Sequence, residues 1–160
     1  MIQKDENYSN AMIEAFIDKP SETLWYQNSF SKYNINGVDA MKWNWSWWAF
    51  GMGFLFFLYR KQYLAAIGVF VASITIGFIP FVGSFLVMIL TGVYGTYFIY
   101  KDYTKKLAEI EAVVGDEDKR IETMRFVGGY NQWVVWVYIA IMSIVFLGII
   151  SAILIPSSIQ

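Results

Sequence analysis

Residues 62–100 form a run of 39 without a single charged side chain, and this run limits what the chain can fold into more than any other feature. As helix it is about 58 Å long, roughly twice the ~30 Å hydrocarbon core of a bilayer. Two further tracts are also free of charge: 43–59 (17 residues) and 126–160 (35 residues). Every charged residue lies outside these three tracts, so the 16% charged content, low against roughly 25% for a soluble domain, averages two unlike populations. A soluble core of this size has no use for such segregation. The expected class is an integral membrane protein with the lipid bilayer as its first partner.

The long tract divides at Phe78-Ile79-Pro80-Phe81-Val82-Gly83-Ser84, where Pro80 interrupts the helical ladder and Gly83 relaxes the backbone. Spans near 63–79 and 84–100 then form a tight hairpin. Gly68 with Ala72, and Gly92 with Thr96, put small residues four apart, a spacing that lets neighbouring transmembrane backbones approach. Residues 133–155 make the clearest span, about 34 Å of uncharged helix anchored by Trp133 and Trp136 and closed by Pro156. Tract 43–59 reaches only about 26 Å as helix, and Gly51 and Gly53 are placed to break it. It either crosses as a short span or re-enters.

The polar segments read as amphipathic helices. Met12, Ile13, Phe16 and Ile17 recur at helical spacing, with Pro20 ending that helix near Lys19. A second helix starts near Pro20 or Ser21 and carries Leu24, Trp25 and Phe30, and Asn34-Ile35-Asn36-Gly37 reads as a turn. Beyond the hairpin, Tyr100, Tyr103, Leu107, Ile110 and Val114 step by three and four residues along one stripe. That stripe suits either self-association or packing against the N-terminal helices, the second being the commoner use. Gly115 stops this helix, and Asp116 caps another carrying Ile121 and Met124. The expected fold class is therefore all-α: an integral membrane helical bundle with three full spans, one short or re-entrant aromatic-rich helix, and amphipathic cytoplasmic helices. Its segments are 1–42 (amphipathic), 43–100 (aromatic helix plus hairpin), 101–125 (charged cytoplasmic helices) and 126–160 (C-terminal span).

Lysine and arginine placement orients the bundle. Arg60-Lys61 and the six basic residues of 101–125 flank the central hairpin, so that side is cytoplasmic and the C-terminus lies outside. A re-entrant 43–59 also brings Lys4, Lys19, Lys32 and Lys42 inside, and the positive-inside rule favours it; a spanning 43–59 places those four outside. The polar, mixed-charge residues 1–42 carry no secretory signal pattern.

Several chemistries lack their usual carriers. The chain has no Cys and no His, which removes disulfides, thiolate nucleophiles, imidazole bases and the common metal ligands. A net charge of −1 gives no reason to expect nucleic acid. The spans contain no ionisable residue of the kind that marks ion or proton pathways. A pore lined by Ser73, Thr75, Thr91 and Thr96 needs oligomerisation, and such hydroxyls more often bond back to their own helix. The acidic cluster Glu109, Glu111, Asp116, Glu117 and Asp118 lacks calcium-loop spacing. No catalytic residue, cofactor site or metal site is expected, and the chain reads as a non-enzyme.

The densest constellation runs from Trp43-Asn44-Trp45-Ser46-Trp47-Trp48-Ala49-Phe50 to Tyr59-Arg60-Lys61-Gln62-Tyr63. Cations and aromatic rings at this density suit the headgroup layer of an anionic leaflet. Trp45, Trp48, Tyr59, Arg60, Lys61 and Tyr63 are accordingly the candidate lipid or partner contacts, the alternative being an ordinary snorkelling anchor. The stretch resembles the signature of a family of small bacterial inner-membrane proteins classed as a domain of unknown function: Asn-Trp, then Ala-Phe, an aromatic run, Tyr-Arg-Lys and a further Tyr. Phe30, Tyr33, Gly95, Tyr100 and Gly128-Gly129 fall where its looser features would, so that the resemblance covers roughly 25–130. Gly51-Met52-Gly53 departs from the Gly-Pro expected at that point. The resemblance implies a multi-helix protein of the bacterial inner membrane and supplies no substrate. The expected function is a non-enzymatic interaction, assembly or regulatory component, with a second copy of the chain or another membrane protein as partner. The alternative is a homo-oligomeric channel or passive transporter.

Overall fold

The computed structural model describes residues 2–35, 38–79 and 82–154. These are helical almost throughout: α1 (Ile2–Ile17), α2 (Pro20–Phe30), α3 (Trp47–Met52), α4 (Phe54–Tyr59), α5 (Tyr63–Gly77), α6 (Val82–Val113), α7 (Glu117–Val127) and α8 (Trp133–Leu154). Between α2 and α3, β1 (Asn34–Ile35) pairs antiparallel with β2 (Val38–Asp39), Asn34 opposite Asp39. Asn36 and Gly37 of the expected turn, Pro80 and Phe81 of the hairpin, and Pro156 lie outside the described residues.

Among the described residues two helices, α6 and α8, are long and apolar enough to cross a membrane. The expectation was three. α5 is apolar but has 15 residues, about 22 Å of helix against a ~30 Å core. α6 continues unbroken from the apolar tract into the charged segment, 32 residues in all, so no structural boundary falls at residue 100.

Local chemistry sets the helix ends. α1 stops at Ile17 because Asp18 turns left-handed (φ 50°) while its N–H still donates to the Glu14 carbonyl at 2.8 Å, an αL stop. Pro20 then opens α2 in the first turn, where no N–H is needed. α2 buries Thr23, Tyr26, Ser29 and Phe30, whereas Leu24 and Trp25, expected on the apolar face, are exposed. Aromatic partners decide this, since Tyr26 and Phe30 stack edge-on and Phe30 meets Tyr100 and Tyr103. Asp116 caps α7 as expected, accepting from the Lys119 N–H at 3.0 Å.

The aromatic tract is not one helix. Ser46 caps α3 by accepting from the Ala49 N–H at 3.2 Å, and Gly53 (φ 54°, ψ −125°) separates α3 from α4. α4 ends in a Schellman motif, with Lys61 left-handed (φ 58°) and the Gln62 N–H bonded to the Phe57 carbonyl at 2.8 Å. Four bonds at three levels set the tract and its flanks against α6. Asp39 meets Tyr100 and Lys101, the Ser46 N–H donates to the Gly92 carbonyl at 2.9 Å, and Gln62 Nε2 donates to the Phe98 carbonyl at 3.1 Å. Along α6 these are a descent of roughly 12 Å followed by a return of roughly 9 Å, at 1.5 Å per residue.

Small residues make room for this excursion. A Cβ on Gly92 would lie 3.0 Å from Phe50 Cβ and one on Gly95 2.9 Å from Ala49 Cβ. Gly92 thus serves a close approach, as its size suggests, and the neighbour that uses it is α3. Among the described residues nothing lies within 4 Å of a Cβ placed on Gly68, so it mediates no close approach between them.

The apolar stripe of α6 is covered from within. Tyr100, Tyr103 and Ile110 are buried, with Leu107 and Val114 packed at the edge of the same core, and Phe16 and Phe30 each sit 5.4 Å from the Tyr103 ring. Packing against the N-terminal helices therefore uses this surface. α8 differs: Val134, at its foot, is buried and Val137 and Tyr138 pack at the edge of the core, while its apolar side chains from Ile139 to Leu154 are exposed.

Asp39 ties the β pair to α6, accepting from Tyr100 Oη at 2.5 Å and Lys101 Nζ at 2.8 Å. The Lys101 bond first, then that of Tyr100, holds its carboxyl below the usual carboxylate range. A depressed carboxylate contributes stability that is present above its unfolded value near 3.9 and lost as pH falls through the folded one. Acidification below about pH 4 is therefore expected to release the strap, read as faster amide exchange across residues 38–46. Asp39→Asn should show that exchange already at neutral pH. Identical pH profiles for the two chains would remove Asp39 from this role.

Candidate functional site

The Tyr59-Arg60-Lys61 turn is where the polar helices, the aromatic tract and the foot of α8 meet. The last carbonyls of α1 have no helical partners, and two of them are satisfied here: Ile17 accepts from Arg60 Nη1 at 3.1 Å, and Phe16 from the Gly129 N–H at 2.8 Å. Arg60, only 3% exposed, also donates Nε to Tyr26 Oη at 3.1 Å and Nη2 to Glu22 Oε2, and its guanidinium lies over the Tyr26 ring. Lys61 reaches the Gly128 carbonyl at 2.7 Å. The Asn131 N–H donates to the Tyr59 carbonyl and its Nδ2 to that of Leu58, which fixes the foot of α8 on α4.

Lys19 completes the cluster. Its ammonium donates to Glu22 Oε1 at 2.6 Å and to Tyr59 Oη at 3.0 Å, and lies 5.5 Å from the Tyr130 ring centroid. Burial opposes its charge, but the bonds to Glu22 and Tyr59 and the attraction of the carboxylate outweigh that, so its pKa is raised. Burial, ahead of the neighbouring charges, pushes the Tyr26 phenol up to about 12. Two cations thus share one carboxylate, leaving one positive charge in excess.

Lys19, Glu22, Tyr26 and Tyr59 of this cluster line a cavity of about 420 Å³, within the range of small-molecule sites. α2 contributes Glu22, Trp25 and Tyr26; the tract contributes Trp45, Ser46, Trp47, Trp48, Met52, Phe56 and Tyr59; α8 contributes Val135 and Tyr138. The lining therefore combines one charged pair, Lys19 and Glu22, with aromatic and apolar walls. Trp45, in the wall, has a buried indole N–H without a hydrogen-bond partner among the described residues.

Comparison with protein-family models, curated proteins and solved structures yields no match. The site is therefore read from its own geometry.

Of the six residues singled out by sequence, Trp45, Trp48 and Tyr59 line the cavity. Arg60 lies behind it on internal acceptors, Lys61 faces the α7–α8 linker, and Tyr63 Oη accepts from Asn131 Nδ2 at 3.3 Å. Lys19, Glu22, Tyr26, Val135 and Tyr138 were not foreseen. Lys19 and Glu22 stand three apart at the start of α2, a legible local pair, but nothing in that spacing points to Arg60. Elsewhere, Ser73, Thr75 and Thr91 donate to carbonyls of their own helices at 2.7–3.0 Å.

Proposed function

We propose that the chain is a small integral protein of the bacterial inner membrane that acts by non-enzymatic interaction, as an assembly or regulatory component. α8 carries this reading. Its 22 residues are uncharged, and none of its membrane-length window is buried inside the protein, so water is the wrong solvent for it and hydrocarbon the right one. The α5–α6 hairpin supplies the other two spans, with α5 short enough to require local thinning of the bilayer or lipid-facing help from its flanks. A re-entrant 43–59 is supported by the way the tract descends and returns along α6, and it keeps all twelve Lys and Arg residues on the cytoplasmic side. The channel alternative draws less support, because the hydroxyls of Ser73, Thr75 and Thr91 are spent on their own helices and Thr96, without such a bond among the described residues, is fully buried within the chain.

Carbonate extraction of native membranes tests the first half: the chain is expected to stay in the pellet, and its release into the supernatant would overturn membrane integration. For the second half, mild-detergent purification from native membranes is expected to bring down a second membrane protein in constant ratio. A chain recovered alone and monomeric would count against an assembly role.

A further inference from the structure

We infer that the cavity between α2, the aromatic tract and α8 holds one anionic phospholipid, with Lys19 as its headgroup contact. The inference deepens the membrane reading above and rests on it.

Charge selects the headgroup. Lys19, Arg60 and Glu22 leave one positive charge beside the cavity, so a monoanion neutralises the cluster and a cation is repelled. Of the two cations, Arg60 is buried and its guanidinium is committed to Glu22, Tyr26 and the Ile17 carbonyl. The Lys19 side chain is a third exposed (34%) and uses two of its three N–H donors on Glu22 and Tyr59. The third donor is available to a phosphate oxygen. Asp18, the neighbouring carboxylate, lies beside Arg125 at 3.9 Å and Gly129 instead.

The walls select an amphiphile. The cavity is also lined by Trp47, Trp48 and Val135, and Val135 belongs to the first turn of α8, the helix whose apolar side chains from Ile139 to Leu154 are exposed. An occupant with its phosphate at Lys19 continues along α8 as an acyl chain; a free anion would leave the aromatic part of the cavity unfilled. The tryptophan rings suit the boundary between headgroup and tail, with an apolar face for the chain and an N–H for ester oxygens.

The experiment uses the full chain purified in a non-ionic detergent, with lipid retention read by native mass spectrometry and the thermal midpoint as a second readout. Dioleoyl phosphatidylglycerol, dioleoyl phosphatidylcholine and inorganic phosphate are offered separately. One phosphatidylglycerol per chain is expected, retained about five-fold over phosphatidylcholine, the factor one cation contributes near an anionic lipid. Lys19→Gln should abolish that preference, and Val135→Trp, which fills the cavity from a partly exposed position, should lower retention of both lipids. Equal retention of the two lipids by the parent chain, or a preference that survives Lys19→Gln, overturns the proposal. Stabilisation by inorganic phosphate equal to that by phosphatidylglycerol overturns the lipid as occupant. If Lys19→Gln loses its near-ultraviolet circular dichroism, Val135→Trp decides: unchanged retention is fatal and lost retention is support. A chain that resists carbonate extraction yet shows no anionic preference sinks this site and leaves membrane integration standing; a chain released by carbonate sinks both.

Discussion

Glu22→Ala is expected to destabilise the protein by about 3–5 kcal/mol, and by more than twice what Arg60→Met does. The asymmetry follows from what each substitution leaves behind. Without Glu22, the Arg60 guanidinium stays buried, its side chain 2% exposed, and it faces the neutral Tyr26 hydroxyl, the Ile17 carbonyl and the Tyr26 and Tyr59 rings in place of a carboxylate. An uncompensated buried charge of this kind costs about 3–5 kcal/mol. Without Arg60, by contrast, the Glu22 carboxylate is 27% exposed and still bonded to Lys19, so water and one cation remain to hold it. Methionine also keeps most of the apolar stem of arginine, which packs among Tyr26 and Tyr59. The double variant should recover most of the loss, because it removes both charges together. Thermal and denaturant unfolding in detergent, followed by near-ultraviolet circular dichroism, measures all three. Equal losses from the two single variants would show that the buried charge is not what makes the site costly to break.

Gly128→Ala is the second large effect, at about 3 kcal/mol. A Cβ there would stand 2.5 Å from the Phe16 carbonyl oxygen, 2.8 Å from Phe16 Cα and 2.9 Å from the Met124 carbonyl oxygen. All three are backbone atoms, so no side chain can rotate away, and α1 must move off the α7–α8 linker. Overpacking costs roughly 1–3 kcal/mol. The displacement also stretches the 2.8 Å bond from the Gly129 N–H to Phe16 and the 2.7 Å bond from Lys61 to the Gly128 carbonyl, each worth roughly 1 kcal/mol. Gly115→Ala is the matched control, since its Cβ meets nothing within 4 Å and should be close to neutral. Limited proteolysis at the α7–α8 linker, together with the same melts, distinguishes the two. If Gly128→Ala melts with Gly115→Ala, the close approach of α1 is not a constraint.

Local features of the fold were legible in sequence because they depend on a few adjacent residues. Pro20 opening α2, Asp116 capping α7 and the stripe from Tyr100 to Val114 are of this kind. The break in tract 43–59 was readable as a glycine pair, with Gly53 making it. Leu24 and Trp25 misled, because an apolar side chain says nothing about which neighbour it finds. The buried face of α2 is chosen by Tyr26 and Phe30 meeting Arg60, Tyr100 and Tyr103. Gly92 was legible in part for the same reason: a small residue announces a close approach without saying whose.

The candidate site divides along the same line. Its tryptophans were evident as a cluster, and three of the six residues singled out line the cavity. Tyr59-Arg60-Lys61 read as an outward-facing basic anchor, whereas Arg60 turns inward to a carboxylate 38 positions earlier and Lys61 to a carbonyl 67 positions later. The cation that does face the cavity, Lys19, looks in sequence like any surface lysine beside a glutamate.

From the sequence alone come the segregation of charge into tracts, the all-helical class and the apolar helices long enough to cross a membrane, because each follows from local pattern and from the solvation of residues taken one at a time. Tertiary structure decided which cations are spent inside and which remains available. A lysine or arginine carries the same charge wherever it lies, and only the acceptors that folding brings within about 3 Å determine whether that charge is neutralised by the protein or left for something else.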